Sequence, residues 1–197
     1  MTIYAFDFDG TLTRRDTFLV FARFAKGTSR TFFAIMLMLP LLVMMKLRLY
    51  PNWRAKQQLF SLLFRGMPID QFDETCRRFA VENQNLLRPK GLQTIERAIG
   101  EGSKVVVITA SIENWVKPFF HDLSGDIRIE GTRIDVRNGK LTGKFLTKNC
   151  YGREKLKRIK KLYPARSSYR LIAFGDSKGD SHLLRYADEK HYKPFRH

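Results

Sequence analysis

The chain has 197 residues, 44% hydrophobic and 28% charged, which excludes a disordered polar chain and leaves room for one main core with a small inserted unit. A formal net charge of +17 points to anionic partners or surfaces. The two cysteines, Cys76 and Cys150, lie far apart in neither CxxC nor Cys/His spacing, which argues against a disulfide framework or a zinc site and suits a reducing compartment.

In chain order, residues 2–9 read as a buried strand, with Ile3, Ala5, Phe6 and Phe8 apolar. A strand has period two, so Asp7 and Asp9 leave the backbone on the same side, with Asp9 already entering a turn. Gly10 permits that turn, and Thr11 offers a hydroxyl and an N–H to an anion. Paired carboxylates repel unless a cation is shared, so the spacing predicts a divalent metal. The chain opens directly into this strand, without a charged leader and apolar run, and a cytoplasmic location is expected.

After Thr13, Phe18, Leu19, Phe21, Ala22 and Phe24 recur at helical spacing until Gly27. Residues 31–45, TFFAIMLMLPLLVMM, carry no charge; a membrane span needs about 20 such residues, and Pro40 interrupts these. Flanked by Arg30, Lys46 and Arg48, they suit an interfacial or re-entrant hairpin as well as a buried pair of core helices. No acid occurs between Asp16 and Asp70. A helix beginning near Tyr50, Trp53 and Arg54 ends at Gly66, and Asp70 is placed to cap the next, whose stripe is Phe72, Cys76, Phe79 and Ala80.

From Arg88 the pattern becomes α/β: a helix with Leu92, Ile95 and Ile99, a buried strand over 104–109, then a helical stretch over 112–120 despite Pro118. Residues 127–145 alternate over short runs, with Asn138 and Gly139 marking a hairpin turn. A helix over 152–163 precedes a strand over 169–174, the loop GDSKGD, a helix through Leu183 and Leu184, and an edge strand over 190–195. Strands alternating with helices imply a doubly wound, mainly parallel sheet. Ligands bind such a sheet at the carboxyl ends of its strands, where DFDGT, Thr109-Ala110-Ser111 and GDSKGD fall. With Lys155 these loops supply a nucleophile, an acid/base, a hydroxyl and amide cradle, a cation and metal-binding acids, the parts phosphoryl transfer needs.

On these motifs the chain resembles the haloacid dehalogenase superfamily, and within it subfamily IB, which includes the phosphoserine phosphatases. The motif residues are Asp7, Asp9, Gly10 and Thr11, then Thr109, then Lys155 in NCYGREK, then Asp176 and Asp180. The resemblance implies an α/β fold, a doubly wound, mainly parallel Rossmann-like sheet formed by residues 1–15 and 88–197, with an inserted α-helical cap over 16–87. It implies Asp7 as the nucleophile that forms an aspartyl-phosphate, and Asp9 as the acid that protonates the leaving oxygen and later activates water. Mg²⁺ would be held by Asp7, the backbone carbonyl of Asp9 and Asp176, with Asp180 supporting. Phosphoryl oxygens would meet Thr11, Thr109, Ala110, Ser111 and Lys155, while Lys157, Arg158, Lys160 and Lys161 face outward. Asp16 stands where the phosphoserine enzymes carry a substrate-sensing glutamate, and equally where a helix cap would stand.

Those enzymes carry a cap arginine for the substrate carboxylate; here Gln58 or Phe60 falls at that place. The apolar Leu39–Met45 segment followed by a basic, Trp-containing stretch instead resembles the cap of the phosphatidylglycerophosphate phosphatases. The expected function is therefore Mg²⁺-dependent hydrolysis of an amphiphilic or lipid phosphomonoester, with an anionic bilayer as a partner at the inner face of the membrane. The alternatives are a soluble small-metabolite phosphatase and a non-enzymatic polyanion-binding protein. The basic block from Lys148 to Arg170 lacks interleaved stacking aromatics, so nucleic acid is not expected.

Overall fold

The computed structural model describes residues 1–47, 49–123 and 125–196; Arg48, one of the basic residues flanking the uncharged stretch, lies outside them. At its centre is β1 (Thr2–Phe6). The sheet has five parallel strands in the order β3 (Ile127–Thr132), β2 (Lys104–Ile112), β1, β6 (Arg170–Gly175), β7 (Glu189–Tyr192). Strand order therefore reverses between β1 and β6, and the crevice at their carboxyl ends is where such sheets bind ligands.

Both faces of β1 are apolar because both are covered, as a central parallel strand requires. Ile3 and Ala5 pack with Val106, Ile108, Leu171 and Ala173 under Ile159 of α8 (Arg153–Leu162) and Leu183 of α9 (Ser181–Tyr186). Tyr4 and Phe6 join Val105, Val107, Ile172 and Phe174 on the other face, which α6 (Pro89–Gly100) covers through Ile95 and Ala98. The expected doubly wound parallel sheet is the one observed.

Five helices lie between β1 and α6: α1 (Thr17–Lys26), α2 (Thr28–Leu37), α3 (Leu39–Lys46), α4 (Asn52–Phe64) and α5 (Ile69–Glu82). An aromatic cluster built on Phe21 of α1 joins α4 and α5 to Trp115, its ring 5.6 Å from Phe64, 5.5 Å from Phe72, 5.2 Å from Phe79 and 4.8 Å from Trp115. Offset and edge-on contacts of this kind add to the area they bury. The hairpin of β4 (Ile134–Arg137) and β5 (Lys140–Phe145) leans against α4. Leu141 exchanges backbone bonds with the chain between α4 and α5, accepting from Gly66 at 2.8 Å and donating to Met67 at 2.9 Å. Asn138 and Gly139 both have positive φ, as the primed turn demands.

Several boundaries differ from the sequence reading. β1 stops at Phe6, because Phe8–Leu12 forms a tight loop with Gly10 at φ +80°. β2 runs on through Thr109-Ala110-Ser111 to Ile112. Beyond it lie only a short α7 (Glu113–Val116) and a 3-10 turn at Lys117–Phe120, where Pro118 removes a helical donor. β7 ends at Tyr192, before the positive-φ Lys193. Asp70 does not cap α5: Pro68 occupies that position, and Asp70 lies in the first turn, where it favours the helix through the macrodipole.

The uncharged stretch forms α2 and α3, bent by 61° about Met38, with Pro40 in the first turn of α3, where a missing N–H is tolerated. It is not a buried pair. Phe32, Phe33 and Leu37 are 57%, 70% and 72% exposed, and Met36, Val43 and Leu47 are exposed as well. Leu42 and Met45 are partly buried against the core instead. Among the described residues no single helix is long and apolar enough to cross a membrane, although the bent pair together has the length and composition.

Candidate active site

β1 ends where the acids begin. Asp7 donates its backbone N–H to Phe174 O of β6 at 2.9 Å, which fixes it at the crevice, and its side chain is buried. Lys155, also buried, reaches in from α8 and donates to Asp7 Oδ1 at 2.5 Å and to Asp180 Oδ1 at 2.6 Å. Thr11 Oγ1 donates to Asp7 Oδ2 at 3.3 Å. Burial pushes the Asp7 carboxyl up to about 7, and the repulsion of Asp180 adds to this against the pull of Lys155. Burial opposes the charge on Lys155 too, but two carboxylates outweigh it and hold the ammonium above its ordinary range.

Asp180 is locked from its other side. Its Oδ2 accepts from the N–H groups of Asp176 and Ser177 at 3.2 and 3.0 Å and from Ser177 Oγ at 2.9 Å. Burial works against its charge, yet Lys155 and these donors together hold it below the usual carboxylate range. Asp176 carries Arg196 on Oδ2 at 2.6 Å. One oxygen each from Asp7, Asp176 and Asp180 lies within 4.8 Å of the others. The backbone makes room for this: a Cβ on Gly10 would sit 2.4 Å from Asp176 Oδ2, and one on Gly175 2.5 Å from Asp180 Cβ. Hard carboxylate oxygens beside the backbone of a tight loop are a donor set suited to Mg²⁺.

The Asp9 carboxylate has its own set of partners. Oδ1 accepts from Thr17 N–H at 2.8 Å and Thr17 Oγ1 at 2.7 Å, and Oδ2 accepts from Ser111 Oγ at 2.5 Å. Thr17 is itself held by the buried Trp115, whose Nε1 donates to Thr17 Oγ1 at 3.2 Å. Thr109 Oγ1 accepts from Ser111 N–H at 3.0 Å, which ties that loop together. The Ala110 carbonyl accepts from Lys56 Nζ of α4 and from Thr132 Oγ1, both at 3.0 Å. Asp16 caps α1, accepting from Phe18 N–H at 2.9 Å.

All ten residues singled out in the sequence therefore lie in or beside one crevice, Asp16 at its margin as a helix cap. Lys56, rather than Gln58 or Phe60, is the cation that α4 brings to it. No sequence signal separated Lys56 from its basic neighbours; its contact with Ala110 depends on how α4 is tilted. Thr17 and Arg196 were also missed, since a threonine after a cap and an arginine near the chain's end are ordinary. Arg158 does not face outward. It shares a helix face with Lys155, and its guanidinium bonds the Gly131 carbonyl and, at 2.9 Å, the Lys148 carbonyl.

The parallel doubly wound sheet thus carries a buried aspartate-lysine centre at its switch point. The sequence matches the haloacid dehalogenase-like hydrolases over residues 4–185, and the chain belongs to that family. It is similar to Protein CicA of Caulobacter vibrioides (strain NA1000 / CB15N), 33% identical over 98% of this chain and 86% of that protein. Among solved structures it resembles a protein of unknown function from Bordetella pertussis Tohama I, with TM-score 0.81, 16% identity and coverage of 96% of this chain and 89% of that one. It also resembles a substrate-bound phosphoserine phosphatase, with TM-score 0.64, 21% identity and coverage of 97% and 85%. The expected hydrolase is thus found, on a fold shared with phosphatases.

Proposed function

We propose that the protein hydrolyses phosphomonoesters through an aspartyl-phosphate on Asp7, and that its substrate is an amphiphilic phosphate met at an anionic bilayer. The observation that carries the chemistry is the buried ammonium of Lys155 between Asp7 and Asp180. A carboxylate attacks a phosphate dianion only where negative charge is cancelled, and in phosphoryl transfer most of the catalysis is such cancellation together with positioning.

In the first step an Asp7 oxygen bonds to phosphorus as the ester P–O bond breaks, and Asp9 in its acid form gives its proton to the departing alkoxide. In the second, Asp9, now a carboxylate, takes a proton from water, whose oxygen bonds to phosphorus and frees Asp7 and inorganic phosphate. Thr17 and Ser111 hold Asp9 in place for both. Lys155, Thr11 and the Thr109–Ser111 segment receive the phosphoryl oxygens. Asp7, the Asp9 carbonyl and Asp176 would hold Mg²⁺, with Asp180 beside them; bound there, the ion would neutralise charge on the phosphoryl group.

Residues 16–87 act in this reading as a cap over the crevice, which keeps water from the intermediate. The exposed apolar faces of α2 and α3, with Arg30, Lys46 and Arg54 around them and no acid from residue 17 to 69, suit an anionic leaflet. Each basic residue close to such a surface contributes about 1 kcal/mol. The protein is expected to float with phosphatidylglycerol vesicles at low salt and to leave them at high salt, and to release phosphate from phosphatidylglycerophosphate faster than from phosphoserine. Indifference to vesicles together with a preference for soluble phosphates would remove the lipid part. Phosphate release by Asp7→Asn at the wild-type rate would remove the mechanism.

A further inference from the structure

A cavity of about 860 Å³ opens between the start of α4 and the segment joining β5 to α8. Trp53, Phe145, Leu146 and Tyr151 line it, with Asn52 and Lys148 among the polar residues at its walls. Several of its lining residues sit next to residues of the crevice. Trp53 and Gln57 lie one helical turn from and next to Lys56, whose Nζ bonds the Ala110 carbonyl. Asn149 accepts from Thr132 Oγ1 at 3.2 Å, the hydroxyl that also bonds Ala110. Tyr151 packs so closely over Gly179 of the GDSKGD loop that a Cβ there would sit 2.4 Å from the ring. Glu154 on the rim directly precedes Lys155.

The cavity therefore lies beside the crevice, within reach of the part of a substrate beyond its phosphate. Its volume is that of a small-molecule site. Trp53, Leu146 and Tyr151 are 42%, 65% and 52% exposed, so three large apolar side chains face water around one hollow beside a phosphate site. Such side chains gain by being covered. Lys148 in the cavity wall and Lys56 on the Ala110 carbonyl offer positive charge to an anionic head, with the acid Glu154 at the rim. Trp53 follows Leu47 and Leu49 in the chain, both of them exposed.

We propose that this cavity is the binding site for the alkyl or acyl chain of the phosphate ester, with Trp53, Leu146 and Tyr151 selecting amphiphilic over polar leaving groups. The inference rests on the phosphomonoesterase reading and assigns the place where the substrate's chain is held.

The test is a series of straight-chain alkyl phosphates from ethyl to octyl, kept below micelle formation, with octylphosphonate as a non-hydrolysable probe. kcat/KM is expected to rise by about twofold to fourfold per added methylene until the cavity is filled. Leu146→Asp is expected to flatten that rise, raising KM for octyl phosphate on the order of tenfold with kcat little changed. Octylphosphonate, but not ethylphosphonate, should shift the emission of the half-exposed Trp53 to the blue, and the shift should vanish in Trp53→Phe, where the buried Trp115 remains. Equal turnover of short and long chains with no shift in Trp53 emission would overturn the cavity's role while leaving the phosphatase standing. Preference for nucleoside monophosphates over octyl phosphate would overturn it as well. A Trp53 shift without hydrolysis of any phosphate would uphold the cavity and sink the enzymatic reading instead.

Discussion

The triad of Asp7, Lys155 and Asp180 sets a definite stability difference. Lys155→Met would keep the methylene stem and remove the charge, leaving two buried carboxylates facing each other around the space the ammonium held at 2.5 and 2.6 Å. Removing one member of a buried ion pair costs about 3–5 kcal/mol, because the remaining charge is neither hydrated nor paired. For a chain of this size each kcal/mol moves the melting temperature by about 2–4 °C, so a loss on the order of 10 °C is expected at neutral pH without divalent metal. The double variant Lys155→Met/Asp180→Asn should recover part of the loss, since the unpaired buried charge is then one fewer. Differential scanning fluorimetry and urea unfolding in chelator would read both. A Lys155→Met protein that melts at the wild-type temperature would refute the reasoning, as would a double variant less stable than either single one.

Thr17→Val takes from Asp9 one of its two hydroxyl donors, leaving Ser111, and leaves the buried Trp115 N–H without its acceptor. A loss of about 1–3 kcal/mol in urea unfolding is expected, with a drop in kcat larger than any change in KM. Gly10→Ala must adopt a left-handed backbone at φ +80° and push against Asp176. Strain of about 1–2 kcal/mol should appear in thermal unfolding, and any stabilisation by added Mg²⁺ is expected to be smaller than in the wild type, which titration in the same assay measures. Cys76 and Cys150 are fully buried, and burial pushes both thiols up, Cys150 to about 12. A raised thiol carries almost no thiolate at pH 8, so the native protein should resist Ellman's reagent and react at both cysteines once unfolded.

The parts of the site that could be read along the chain are those whose chemistry depends on neighbours in sequence. Asp7, Asp9 and Gly10 are close because the loop is short, and GDSKGD places Asp176 and Asp180 one turn apart for the same reason. Near-continuous apolar runs likewise marked β1, β2 and β6, since a strand buried on both faces has no polar option. Residues such as Thr17, Lys56 and Arg196 carry no such mark. Their contacts join segments far apart in sequence, and each residue type is common on any surface.

The same distinction separates the two halves of the functional reading. Strand-end acids, a lysine after a glycine and a parallel sheet follow from local spacing, because a catalytic carboxylate must sit where its strand stops. Where the apolar side chains of α2 and α3 face was not local information: an uncharged run is equally suited to a core or a surface until its packing partners are placed. The fold put Leu42 and Met45 inward and Phe32, Phe33 and Leu37 outward, and it brought Trp53 opposite Leu146 and Tyr151 to form a cavity that no stretch of the sequence encloses alone.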